Sequence, residues 1–171
     1  MLSVLMHCFV LTATMTVLWL VCGYSLAFST TGMVEGTVNL KSFVGSLDLA
    51  MLSGVDNSTT EGTIPKLLHF AFQMTFFIIT PALMVGAFVE RMKFSSVLWF
   101  TALWNLIVYA TICHMVWGGG GGYFADKGVQ DFARGIVVYI TAGIGALVAC
   151  IVLGPRKGYP NSPMMPHNLP M

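Results

Sequence analysis

Nineteen consecutive residues, Gly135 to Leu153, carry no charged side chain. A helix of that length covers close to the roughly 30 Å of hydrocarbon at the centre of a bilayer. Three further runs share the property: Leu2 to Phe28, Leu67 to Val89 (closed by Glu90-Arg91) and Phe94 to Trp117. Lipid offers no partner for a bare peptide group, so each run must pair its own backbone and reads as a helix. The helices are expected at about residues 2–28, 67–89, 94–117 and 132–153. Composition agrees, with 56% hydrophobic and 9% charged residues, against about 25% charged in an ordinary soluble domain. The expected fold class is an all-α membrane protein, a polytopic bundle of four transmembrane helices. Its surroundings are the lipid bilayer of a cell membrane crossed several times. A net charge of +1 argues against nucleic acid as a partner.

The apolar run at the N-terminus differs from a secretory signal in lacking a basic leader and in being about twice too long. Pro81 has no N–H to donate and predicts a kink or an opened turn in the second helix. Arg91 and Lys93 fill the tight link after that helix, and Arg156-Lys157 follow the fourth, so residues 90–93 and 154–171 are expected on the cytoplasmic side. The segments 29–66 and 118–131 then lie outside, where the triplet Asn57-Ser58-Thr59 could accept a glycan.

Cys8, Cys22, Cys113 and Cys150 sit in or beside apolar runs without zinc-type pairing, and His7, His69, His114 and His167 are scattered. No metal site or cofactor is expected from such spacing. The Gly118–Gly122 run lacks the Gly-Lys-Ser/Thr ending of a phosphate loop and reads as an outer bend. No nucleophile–base arrangement points to an enzyme. Phe72 and Phe76 stand four apart, on one face of the second helix, with Gln73 and Thr75 beside them and His69 one turn earlier. Trp117 closes the third run, where an interfacial indole is also common. Ala142, Gly143, Gly145, Ala146 and Ala149 offer a small-residue face for close helix packing. Asp131-Phe132-Ala133-Arg134 places two opposite charges at the mouth of the last run, where a carboxylate either caps a helix or handles a charged solute.

Phe72-Gln73-Met74-Thr75-Phe76, Val85-Gly86-Ala87-Phe88-Val89-Glu90-Arg91, His114-Met115-Val116-Trp117-Gly118-Gly119-Gly120, Asp131-Phe132-Ala133 and Pro166-His167-Asn168-Leu169-Pro170-Met171 resemble, in order and spacing, the ammonium transporter family (Amt/Mep/Rh). Gly23-Tyr24-Ser25-Leu26-Ala27-Phe28 fits as well. The resemblance spans essentially the whole chain. It implies the second through fifth helices of an inverted-repeat fold of about eleven, hence a fragment of such a protein, and a homotrimer when complete. Ammonium or ammonia, and methylammonium as its analogue, would be the solute. Trp117 then matches the indole of an external cation-recruitment site, with Phe72 and Phe76 the adjoining rings and Phe76 part of the gate into the pore. Asp131 matches a buried acid that organises that site from behind, which suits a helix N-terminus. Tyr139 falls in the pore about 12 Å beyond Asp131, where the family usually has a histidine. A phenol of reference pKa near 10 accepts a proton far less readily than an imidazole near 6.5. Arg134 stands where a small residue is usual, and its guanidinium would repel ammonium or snorkel to water. The readings left open are a conducting transporter, a non-conducting ammonium sensor and an inactive fragment.

Overall fold

The computed structural model describes residues 2–162, so the Pro166–Met171 motif and His167 lie outside the described residues. Helix α1 comprises Leu2–Leu18, a π-helical turn at Trp19–Gly23 and Tyr24–Phe28. Helix α2 comprises Lys66–Leu83 and, after a break at Met84, Val85–Phe88. Helix α3 joins Phe94–Trp104, a second π turn at Asn105–Tyr109 and Ala110–Trp117. Helix α4 opens with a π turn at Gly135–Ile140 and continues over Thr141–Leu153. Its start is three residues later than the expected 132, because Arg134 takes a left-handed conformation (φ 58°, ψ 27°) that no helix accommodates. All four are long and apolar enough to cross a membrane.

The centre of the bundle is organised by a missing hydrogen. Pro81 cannot donate to the carbonyl one turn back, that of Phe77. The helix nevertheless runs through Pro81 to Leu83, and the expected opening appears three residues later, at Met84. The freed Phe77 carbonyl accepts from Asn105 Nδ2 of α3 at 2.8 Å, and the same nitrogen lies 3.1 Å from Met15 Sδ of α1. Asn105 is wholly buried, so one carboxamide joins three helices at the level of the core. Around it pack Leu11, Met15, Trp19, Phe77 and Tyr109, all with no exposed surface. The Trp19 indole N–H donates to the Phe70 carbonyl at 3.1 Å, which fixes α1 against α2 nearer the loop end.

Helix α4 docks through its small residues. A Cβ on Gly145 would meet Met84 Cε at 2.7 Å and Trp104 Cζ2 at 3.2 Å, and Ala142, Ala146 and Ala149 pack with Met84, Ala87 and Phe88. Gly143 faces open space and does not belong to the packing face expected for it. At this end of the bundle Arg91 and Arg156 line one cleft, and Arg91, Lys93 and Lys157 a neighbouring one.

The opposite end is covered by segment 29–65, which includes short 3₁₀ turns at Leu40–Ser42 and Ala50–Leu52 and a hairpin of β1 (Thr60–Glu61) and β2 (Ile64–Pro65) with Thr60 opposite Pro65. The cover is clamped by polar contacts. Gly45 N–H donates to Leu26 O at 3.0 Å, where a side chain would strike the Ser25 and Leu26 carbonyls at 2.6 Å. The buried His114 ring sits 3.1 Å from Ala27 O and 2.8 Å from Lys41 O. Asp126 accepts from Gly121 N–H at 2.7 Å and Gly36 N–H at 2.9 Å, joining segment 29–65 to segment 118–134.

Two outcomes follow from these bonds. Asn105→Leu leaves the Phe77 carbonyl bare, so stability in detergent should fall by about 1–3 kcal/mol, the cost of an unpaired buried acceptor. Adding Pro81→Ala restores a local donor and should recover part of the loss, whereas unfolding curves identical to native for Asn105→Leu would show that the bond carries nothing. The N–H groups of Gly121 and Gly36 also hold the exposed Asp126 carboxyl below its ordinary value of 3.8. A depressed value means that the clamp is at full strength above pH 3.8 and fails as pH falls through the lowered value. Pepsin should therefore cut segment 29–65 readily in Asp126→Ala at about pH 4, and in the native chain only once the pH has fallen through the lowered value of Asp126; equal cutting of both at about pH 4 would refute the clamp.

Candidate functional site

Three aromatic rings converge where α2 and α3 meet the segments 29–65 and 118–134. Phe72 and Phe76, one turn apart on α2, lie 5.3 Å apart at 83°, and Phe76 lies 6.1 Å from Trp117, the last residue of α3, at 75°. Edge-to-face packing of this kind leaves ring faces, the negative part of each quadrupole, available to a cation. The neighbouring Phe77 turns the other way, into the core against Trp19 and Tyr109. The Asn105 bond to Phe77 O thus sets the rotation of α2 that aims Phe76 at Trp117.

A cation already lies on these rings. Arg134 Cζ is 4.0 Å from the Phe76 centroid, 4.9 Å from Phe72 and 5.1 Å from Trp117, all within the roughly 6 Å reach of cation–π attraction. Arg134 is half-buried. Among the described residues the one ion pair is Lys66–Glu61, at 3.5 Å, so no carboxylate among them is in ion-pair contact with this guanidinium. Asp131 is committed elsewhere: its Oδ1 accepts from Ile136 N–H and its Oδ2 from Val137 N–H, both at 3.1 Å. Those donors belong to the first turn of α4, where backbone N–H groups have no helical acceptor. The carboxylate therefore holds the start of α4 and, through it, the left-handed turn that sends Arg134 back over the rings.

An open cleft of about 550 Å³ lies beside this cluster, lined by Gln73, Trp117, Asp131, Phe132, Ala133 and Arg134. Gln73 is buried; its Nε2 is 3.4 Å from His69 Nε2, while its Oε1 has no hydrogen-bond partner. The cleft thus combines ring faces with an unpaired carbonyl-type acceptor, a combination suited to a small cation that carries N–H groups. A larger groove of about 690 Å³ between α2, α3 and α4 is lined by Phe88, Trp104, Ile140, Ile144 and Val148 among others. It is almost wholly apolar, and its Thr141 hydroxyl donates to the helix backbone, so it offers such a solute little to bind.

Trp117 and Asp131 thus line one cleft, Phe76 and Phe72 adjoin it through the ring contacts that run back from Trp117, and Tyr139 is not among them. It lies in the π turn of α4, is 63% exposed, and makes no ring contact with the aromatic trio. In the sequence Arg134 is legible as a charge near the mouth, but its seat on the rings is not. A guanidinium three residues after a capping acid was the available signal; the left-handed backbone that aims it left no mark in the residue pattern. The buried unpaired Gln73 oxygen was missed for a related reason, since burial at a helix end depends on the loops above it.

Comparison with known proteins places this geometry. The profile of the Ammonium Transporter Family matches residues 1–171. The chain is 42% identical to an ammonium transporter of Bacillus subtilis over 170 residues, covering 98% of this chain and 39% of that protein. It is 38% identical to one of Aquifex aeolicus over 160 residues, 93% of this chain and 35% of that protein. Among solved structures, Mep2 of Candida albicans superposes with a TM-score of 0.76 at 31% identity, over 86% of this chain and 31% of Mep2. Mep2 of Saccharomyces cerevisiae gives 0.76 at 32% over the same shares. The chain spans well under half the length of these relatives, and four helices with this sequence and packing make it a member of the ammonium transporter family.

Proposed function

We propose that this chain carries the external cation-recruitment site of an ammonium transporter, and that the complete protein passes ammonium or ammonia, with methylammonium as an accepted analogue, across the cell membrane. The observation that carries the reading is the set of three ring faces within 5.1 Å of a cationic centre. Trp117, Phe76 and Phe72 hold the ion by cation–π attraction, and Phe76 stands at the way into the pore. Asp131 is a positioning residue, acting through the first turn of α4. The end bearing Arg91, Lys93, Arg156 and Lys157 faces the cytoplasm, and the complete protein assembles as a homotrimer.

The test uses the complete protein with Arg134 replaced by glycine, so that no tethered cation shares the rings. In that background Trp117→Leu should weaken methylammonium binding by about three- to thirty-fold, the range that about 0.5–2 kcal/mol of cation–π attraction corresponds to. An unchanged affinity would return Trp117 to the role of an interfacial indole.

One observation favours a second reading. Tyr139 stands exposed on α4, where relatives in the family usually place a histidine that passes protons, and protonating a phenol near neutral pH is strongly unfavourable. In the complete protein Tyr139→His should raise the ammonium-evoked current recorded on a solid-supported membrane. A native protein that binds ammonium with no current would be a sensor. Large native currents left unchanged by Tyr139→His would remove this position from the proton path.

A further inference from the structure

We infer that Arg134 is a tethered competitor: its guanidinium is the resident cation of the Phe72–Phe76–Trp117 cage, and an external cation gains the site only by displacing it. The inference rests on the proposed recruitment site and adds its regulation. Three features of the structure support it. The guanidinium carbon lies over three rings at once, closest to Phe76 at 4.0 Å. The nearest acid in sequence, Asp131, spends both oxygens on backbone N–H groups of α4, and among the described residues Arg134 has no ion-pair partner that would draw it off. The tether is short and set, because the left-handed Arg134 directly precedes α4.

The chemistry suits an occupant that can be dislodged. A guanidinium is flat and weakly hydrated, so it leaves water for an aromatic face at less cost than a compact ammonium ion. Its attachment to the chain fixes its local concentration, which does not change with the medium. A free cation then meets cages of which only a fraction are open, and its apparent dissociation constant rises by the inverse of that fraction. The cage is tuned towards high external ammonium. Because competition acts on the cage itself, it applies equally to any small monovalent cation that binds there.

Arg134→Gly tests this without threatening the turn, since glycine is the residue a left-handed position accepts at least cost. Arg134→Asn, the next most tolerant choice, provides a second neutral variant. Binding of radiolabelled methylammonium and its competition by free guanidinium are measured on the complete purified protein. Removing the occupant should tighten both cations by the same factor, roughly three- to thirty-fold for a cation–π competitor. Most of that gain should vanish when Trp117→Leu is added, because the rings that held Arg134 also hold the ligand. If Trp117→Leu weakens binding in the Arg134→Gly background but neither neutral variant tightens it, the recruitment site stands and the competitor is refuted. If the gain survives Trp117→Leu in full and disappears in about 1 M salt, where charges beyond roughly 3 Å are screened, Arg134 acts by repulsion at a distance and the inference is overturned.

Discussion

Proline 81 leaves the carbonyl of Phe77 without its helical donor, and inside a membrane no water can replace it. Asn105 supplies the missing N–H from α3 while touching Met15 of α1. This pairing decides how the helices turn about their axes. With Phe77 held towards Asn105, Phe76 points to the side and its ring reaches Trp117 at the end of α3. The site at the loop end thus inherits its geometry from a bond in the middle of the bundle. The clamps through Leu26, His114 and Asp126 hold the cover in place above it.

Ring faces and a carboxylate share the cleft at that end, which Trp117 and Asp131 both line. Asp131 is the nearest acid in sequence, and each of its oxygens accepts from a backbone N–H of α4. An open carboxylate would bind a cation more tightly and release it reluctantly. Ring faces offer a cation an attraction of about 0.5–2 kcal/mol, enough to select it over a neutral solute without trapping it. Arg134 uses the same attraction from within the chain, and on the proposed reading the strength of the site is set by the balance between a bound side chain and a free ion.

The spans and the apolar character are readable directly from the charge-free runs, because the cost of an unpaired charge in lipid allows few other arrangements. The pairing of Phe72 with Phe76 follows from helical spacing alone. Other features depend on contacts distant in sequence. Pro81 signals a disturbed helix, but the partner that keeps it continuous, Asn105, lies on another helix, and the break falls at Met84 instead. Gly143 looks equivalent to Gly145 in the sequence, yet only Gly145 lies under Met84 and Trp104. The start of α4 and the aim of Arg134 both turn on one left-handed residue, a conformation that an arginine does not announce. The roles of Trp117 and Asp131 came from family resemblance, since spacing alone fits an interfacial indole and a helix cap equally well.

The central claim, that an aromatic cage at the outer end holds a cation and that Arg134 fills it at rest, is tested most directly by solving the complete protein by electron cryo-microscopy with and without saturating ammonium. The account predicts guanidinium density over Phe76 and Trp117 in the ammonium-free state, and Arg134 withdrawn with new density on the rings when ammonium is present. Arg134 extended into water or lipid in the ammonium-free state, with the rings bare, would contradict it.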